Sequence, residues 1–197
     1  MRLYCATTNQ GKLREFRMAL DARFEVDTLP GLAGIPPCEE TGATFEENAV
    51  QKVRYYSKYC SEYLFVDDSG LEVDALGDAP GVYSARFAGP DATDEANNRL
   101  VLDRMRGVCD RTVRFVCVVA LAREGELIHT FRGEVEGRLM EEPRGANGFG
   151  YDPLFFYPPF GCTFGEAPLE RKMGVSHRAV ALGVMQEWLA AGGDGGW

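Results

Sequence analysis

The chain has 197 residues, of which 45% are hydrophobic and 26% charged, and its net charge is −9. That length supports one sizeable core, and the composition excludes disorder and fibrous repeats. The acidic balance excludes a surface that wraps DNA or RNA, which needs many Lys and Arg against phosphates; a polyanion would have to be met by a local cluster of cations and a metal.

No Pro, Ser or like-charge stretch is long enough to separate two domains, so one domain is expected over residues 1–191, followed by a loose tail over 192–197. The apolar run in Met1 to Thr7 is too short for a signal peptide, and no segment approaches the apolar length that spans a bilayer. A cytoplasmic protein with no membrane partner is expected. Six cysteines (Cys5, Cys38, Cys60, Cys109, Cys117, Cys162) form no C-x-x-C pair, which argues against disulfides and a cysteine-based zinc site.

In chain order, Leu3 to Thr7 reads as a buried strand, Thr8 to Gly11 as a loop and Lys12 to Leu20 as a helix with Phe16 and Leu20 on one face. Phe24 to Thr28 is a second strand, and the Gly- and Pro-rich stretch from Pro30 to Pro37 is a loop. Thr44 followed by Glu47 makes a capping box for a helix whose Phe45, Ala49, Val53 and Tyr56 recur at helical spacing. Tyr63 to Val66 is an apolar strand running into Asp67-Asp68-Ser69-Gly70, and Gly77 to Gly81 is a turn-rich loop. Asp94 and Glu95 open a helix through Met105, where acids suit the positive end of the dipole. Val113 to Ala122 and Glu126 to Glu136 form an antiparallel hairpin about Gly125. After a loop from Pro143 to Gly150, a terminal helix runs from about Ser176 to Ala190. The order predicts a mixed α/β fold whose sheet is not purely parallel.

Four segments carry candidate chemistry. Thr7-Thr8-Asn9-Gln10-Gly11-Lys12 leaves a strand and enters a helix, which aims backbone N–H groups and the Lys12 charge at a phosphate. It lacks the G-x-x-x-x-G-K-[ST] pattern of a Walker loop, and alone it reads equally well as a plain strand-to-helix turn. Glu40, Asp67 and Asp68 form an acidic set suited to Mg²⁺, which takes one or two carboxylates with waters and substrate phosphates. Adjacent strand residues point to opposite faces, so the two aspartates divide their tasks. An isolated Asp-Asp-Ser-Gly, however, is better read as a capped turn. The third segment, Pro143 to Pro153, sets Phe149 and Asp152 among glycines, an arrangement able to receive a flat ring, although alone it is better read as a structural loop. The fourth joins Lys172 to Ser176-His177-Arg178 at a helix start, which is also the pattern of a solvated basic helix end.

Together these segments resemble the Ham1/RdgB family of inosine triphosphate pyrophosphatases. The matching residues are Ala6 to Lys12, Glu40-Thr41-Gly42 with Phe45 and Glu47-Asn48-Ala49, Asp67 to Leu71, Pro80 to Arg86, Pro143-Arg144-Gly145, Gly148 to Pro153 and Ser176-His177-Arg178. The resemblance covers almost the whole chain in order. It implies an elongated mixed sheet with flanking helices and two lobes around a central cleft, the ITPase-like Maf-Ham1 fold, assembled as a homodimer. It also implies Mg²⁺-dependent hydrolysis of purine nucleoside triphosphates such as ITP, dITP and XTP to monophosphate and pyrophosphate, removing them from the nucleotide pool.

By the same resemblance, Thr7, Thr8, Asn9, Gln10, Gly11, Lys12, Lys52 and Lys172 hold the triphosphate. Glu40 and Asp68 bind the metal with Asp67 as a supporting or second contact, Asp68 accepts the proton of the attacking water, and Ser69 touches substrate. Phe149, Gly150, Tyr151 and Asp152 line the base pocket with His177 and Arg178. Donors facing position 6 of the purine accept a keto oxygen, and an amino group there leaves them unpaired at roughly 1–3 kcal/mol each. Met173, Ala179, Gly165 and Ala167 depart from the family's usual residues, which bears on fine selectivity.

Other readings are weaker. A serine or cysteine hydrolase would need a nucleophile beside His129 or His177, Ser69 lacks the G-x-S-x-G elbow, and H-E-x-x-H is absent. A non-catalytic nucleotide-binding module and a Maf-like pyrophosphatase are the serious alternatives.

Overall fold

The structure is a computed structural model and describes residues 1–193. Period-two alternation at the start becomes β1 (Arg2–Cys5), with Leu3 and Cys5 fully buried. It pairs in parallel with β2 (Glu25–Thr28), Leu3 opposite Val26, and with β3 (Leu64–Val73), Cys5 opposite Phe65. β4 (Thr112–Arg123) and β5 (Glu126–Leu139) are neighbours joined at Glu124-Gly125, a two-residue connection that only an antiparallel pair allows. β6 (Phe155–Tyr157) extends the sheet antiparallel to β5, and β7 (Cys162–Thr163) pairs antiparallel with β6 in turn. The seven strands lie in the order β2-β1-β3-β4-β5-β6-β7, a mixed sheet as predicted.

The helices are α1 (Gln10–Ala19), α2 (Phe45–Tyr56), α3 (Asp94–Arg104), α4 (Leu169–Met173) and α5 (His177–Ala190). The predicted capping box is present: Thr44 Oγ1 accepts from Glu47 N at 3.1 Å, and Glu47 Oε2 accepts from Thr44 N at 3.3 Å. Short α4 was not legible in the sequence, because five residues hold too little periodicity to register. Among the described residues no helix is long and apolar enough to cross a membrane.

Two compact units share the strands. The first comprises residues 1–68, 117–133 and those from 177 on; the second comprises 69–116 and 134–176. In the first, Leu13 and Phe16 of α1 and Leu20 just after it pack with Leu182, Met185 and Leu189 of α5 against Leu3, Cys5, Cys117, Val119 and Leu121. Residues 117–122 are all buried, as expected of a strand covered on both faces. In the second, Leu71, Val73, Val101, Val113 and Leu154 surround Phe115, Phe155 and Phe164, with the Phe115 and Phe155 centroids 4.5 Å apart.

The strand carrying Asp67-Asp68 does not stop at the aspartates. Ser69 to Val73 continue it, with Leu71 and Val73 fully buried, so the aspartates lie mid-strand and the turn reading is excluded. Gly70 permits the continuation: Ser84 packs against it, and Ser84 Oγ accepts from Leu71 N at 2.9 Å, where a β-carbon on residue 70 would collide with that hydroxyl. Of the expected tail, residues 194–197 lie outside the described residues, while Gly192 N and Gly193 N donate to Leu189 O and Trp188 O at the end of α5.

Gly133 of β5 lies against the first turn of α5, where a β-carbon would overlap His177 O and Ala181 N. Those are backbone atoms and cannot rotate aside. Gly133→Ala is therefore expected to destabilise the fold by about 1–3 kcal/mol, read as a lower urea midpoint.

Candidate active site

The first unit gathers the acidic and cationic candidates. Asp67 and Asp68 are 5% and 7% exposed, and strand alternation sends them to different partners. Asp67 Oδ1 accepts from Lys12 Nζ at 2.9 Å, while Oδ2 accepts from Arg178 Nη2 at 3.2 Å and Nε at 3.3 Å, with Cys117 Sγ at 3.9 Å. Arg178 Nη1 donates to Glu15 Oε2, so Glu15, Arg178, Asp67 and Lys12 form a continuous chain of alternating charge. Asp68 Oδ1 accepts from Lys52 Nζ at 2.8 Å and Oδ2 from Asn48 Nδ2 at 3.3 Å. The Lys52 ammonium also donates to Asp67 O at 2.9 Å and lies 3.5 Å from Glu40 Oε2.

These surroundings push the two carboxyls apart. Burial would raise Asp67, but Lys12, Arg178 and Lys52 overcome it and hold the group well below the usual carboxylate range. Burial raises Asp68, Lys52 offsets part of the rise, and Glu40 adds to it. Burial would likewise lower Lys52, yet Asp68, Asp67 and Glu40 raise it, so its ammonium stays charged.

The Glu40 loop is tied to α2. Cys38 N donates to Tyr56 Oη at 3.1 Å, Thr41 N to Gln51 Oε1 at 3.1 Å, and Gly42 N to Asn48 Oδ1 at 2.8 Å. Asn48 thus joins this loop directly to Asp68. The segment from Thr7 begins a helix at Gln10 rather than Lys12. Asn9 is its cap, accepting from Lys12 N at 3.1 Å, and Thr7 Oγ1 accepts from Asn9 N at 3.2 Å. The amides of Gln10 and Gly11 lie in the first turn, ahead of the first intrahelical bond from Leu13 N to Asn9 O.

The second unit holds the aromatic loop. Gly148 and Gly150 take φ of +74° and +62° on either side of Phe149, values that side chains strain to adopt. Asp152, 2% exposed, accepts at Oδ2 from Phe149 N at 3.0 Å and from Lys172 Nζ at 2.6 Å. The Lys172 ammonium also lies 5.2 Å from the Phe149 ring centroid. Tyr151 Oη donates to Ser84 O at 2.8 Å. Gly165 packs against Arg144 O, 2.5 Å from where a β-carbon would be, which accounts for glycine at that position.

The structure thus brings Thr7 to Lys12, Glu40, Lys52, Asp67, Asp68, His177 and Arg178 into one unit, and Ser69, Phe149 to Asp152 and Lys172 into the other. Lys172 is placed with the aromatic loop by its bond to Asp152. Arg178, 2% exposed, is occupied by Glu15 and Asp67. Glu15 is not singled out by the sequence, and Asn48 stands there only within the matching segment Glu47-Asn48-Ala49, with no role. Asn48 borders the apolar face of Phe45, Ala49 and Val53, which is a signal of burial, but Glu15 is two positions from Leu13 and so off the apolar stripe of α1, where nothing in the sequence marks it.

A buried mid-strand carboxylate pair gripped by two lysines, with Glu40 beside one of them, matches the order of motifs noted in the sequence. The model of the Ham1 family matches residues 3–188. The chain belongs to the Ham1 family. Among its relatives, the dITP/XTP pyrophosphatase of Acidobacterium capsulatum is 50% identical over 93% of this chain and 95% of that protein. The dITP/XTP pyrophosphatase of an Exiguobacterium species is 49% identical over 92% and 93%. The solved structure of a HAM1 protein from Coxiella burnetii, 37% identical, superposes with a TM-score of 0.87 over 97% of this chain and 99% of that one. These likenesses confirm the mixed α/β fold of the family.

Asp67→Asn would leave Lys12 and Arg178 facing a neutral amide in a buried site, at an expected cost of roughly 3–5 kcal/mol at pH 7. The folded pKa of Asp67 is depressed, so its contribution is fully present above the unfolded value of 3.8 and is lost as pH falls through the folded value. The stability gap between wild type and variant, measured by urea unfolding, should accordingly narrow below about pH 4.

Proposed function

We propose that this Ham1-family chain hydrolyses non-standard purine nucleoside triphosphates, dITP, XTP and ITP, to the monophosphate and pyrophosphate. The observation that carries the reading is the Asp68 carboxyl, buried, raised by that burial, and hydrogen-bonded to Lys52 within reach of Glu40. Phosphoryl-type chemistry asks chiefly for positioning and charge neutralisation, together with a base for water.

Among the described residues no three His, Cys, Asp or Glu side chains gather into a metal site. Mg²⁺ does not require three: it takes one or two carboxylates and fills the remaining positions with water and phosphate oxygens. Glu40 and Asp68 fit that demand, as hard oxygen donors that share Lys52 as a neighbour. Bound there, the ion would neutralise phosphate charge and polarise the reacting phosphorus. Asp67 differs in what holds it: two full cations, Lys12 and Arg178, bind its oxygens, whereas Asp68 meets one cation and a neutral amide and shares Lys52 with Glu40. We assign Asp67 to holding Lys12 in place.

In this reading Lys12, Lys52 and the first-turn amides of α1 receive the phosphates, helped by the positive end of the helix. Asp68 takes the proton of the attacking water, and Asn48 orients its carboxylate. Phe149 to Asp152 receive the base, with Lys172 stiffening that loop through Asp152. Backbone donors meeting a keto oxygen at position 6 disfavour adenine, whose amino group leaves them unpaired. The family resemblance also leads us to propose a homodimer, which sedimentation at micromolar concentration would reveal as twice the chain mass.

With Mg²⁺ and a panel of triphosphates, pyrophosphate should appear from ITP, dITP and XTP and scarcely from ATP. Release of single phosphates, or none from any nucleotide, would sink the reading. Chelation should stop turnover and added Mg²⁺ restore it. Asp68→Asn should lower kcat by about 10²-fold or more with the circular dichroism spectrum unchanged; retained turnover would remove Asp68 from the role of base.

A further inference from the structure

α3 is absent from the chemistry assigned above, yet it grips the aromatic loop at one residue. Gly150 N donates to Asp94 Oδ2 at 2.6 Å, and Gly150 O accepts from Asn98 Nδ2 at 3.0 Å. Asp94 and Asn98 are four positions apart, so both side chains leave the same helix face. The N–H belongs to the peptide that follows Phe149 and the carbonyl to the peptide that precedes Tyr151. With Phe149 N held by Asp152 Oδ2 at 3.0 Å, three successive peptide units around the Phe149 ring are each fixed by a side chain. The loop needs such restraint, because the positive-φ glycines that flank Phe149 would otherwise leave the backbone many conformations.

Asn98 shows that this grip is not a by-product of packing. It is 7% exposed, and its Oδ1 is a buried acceptor with no hydrogen-bond partner. A leucine would fill similar space without leaving an acceptor unsatisfied. What asparagine supplies that leucine cannot is the donation to Gly150 O.

We infer that Asp94 and Asn98 are positioning residues that lock the Phe149–Tyr151 backbone in the shape that receives the base, so that α3 contributes to purine selectivity. This rests on the proposed triphosphate pyrophosphatase reading. The clamp acts before substrate arrives and leaves the phosphate chemistry of the first unit alone. Losing it therefore weakens base recognition and spares the rate of bond cleavage once substrate is bound.

The test combines amide hydrogen exchange on the ligand-free chain with steady-state kinetics. Asn98→Leu should fold with undiminished stability, speed exchange of peptides covering residues 147–152 by about tenfold, raise KM for ITP about tenfold and leave kcat within about twofold. The ratio of kcat/KM for ITP over ATP should fall by a similar factor. Asp94→Ala should do the same, whereas Asp94→Asn, whose amide oxygen still accepts from Gly150 N, should stay near wild type. Unchanged KM and selectivity in both Asn98→Leu and Asp94→Ala overturn the inference, as does a uniform fall in kcat for every nucleotide. A wild type that releases no pyrophosphate from ITP refutes the functional reading instead, and the exchange measurement still decides whether the clamp exists.

Discussion

Burying Asp67 and Asp68 next to each other in the middle of β3 sets the condition that the surrounding chain has to meet. Two neighbouring carboxylates removed from water are tolerable only if cations and hydrogen-bond donors reach both. The answer differs on each face of the strand. Asp67 is satisfied by Lys12 and Arg178 and closed off by Glu15 beyond. Asp68 has one lysine, one amide and a nearby carboxylate. Two residues identical in the sequence thereby become chemically unlike, one held well below the usual carboxylate range by its cations and the other raised above its ordinary value by burial.

The same condition explains where the helices stand. α1 contributes Lys12 and Glu15 from adjacent turns, and α5 returns at the end of the chain to place Arg178 between Glu15 and Asp67. Gly133 lets β5 lie close enough to α5 for that return. α2 carries Lys52 and Asn48 to Asp68 and, through Asn48, Gln51 and Tyr56, pins the loop that bears Glu40. Apolar packing of Leu13, Phe16, Leu182 and Met185 supplies favourable free energy to the same arrangement of α1 and α5 that brings Lys12, Glu15 and Arg178 to Asp67.

The aromatic loop solves a different problem. Glycines at positive φ give the backbone around Phe149 its shape but no stiffness. Stiffness is supplied from outside, by Asp152 with Lys172 and by Asp94 with Asn98. In the proposed function, a loop built in this way would present peptide donors at fixed positions, which discrimination between keto and amino groups demands.

The sequence alone determined the alternating elements, the capping box at Thr44 and Glu47, the mixed sheet and the membership of the motifs in one family. Each of these depends on spacing within a few residues or on the linear order of short segments. It did not determine that Asp67-Asp68 lies inside a strand, because Asp-Asp-Ser-Gly has the local chemistry of a turn; Leu71 and Val73 being buried, and Ser84 packing on Gly70, decided that. Nor did it reveal Glu15, the occupation of Arg178, the attachment of Lys172 to Asp152, or the hold of α3 on Gly150. Arg178 is 111 positions from Asp67 and 163 from Glu15. Partners so remote leave no periodicity to read, and only the folded chain, which must neutralise every charge it buries, shows which of them meet.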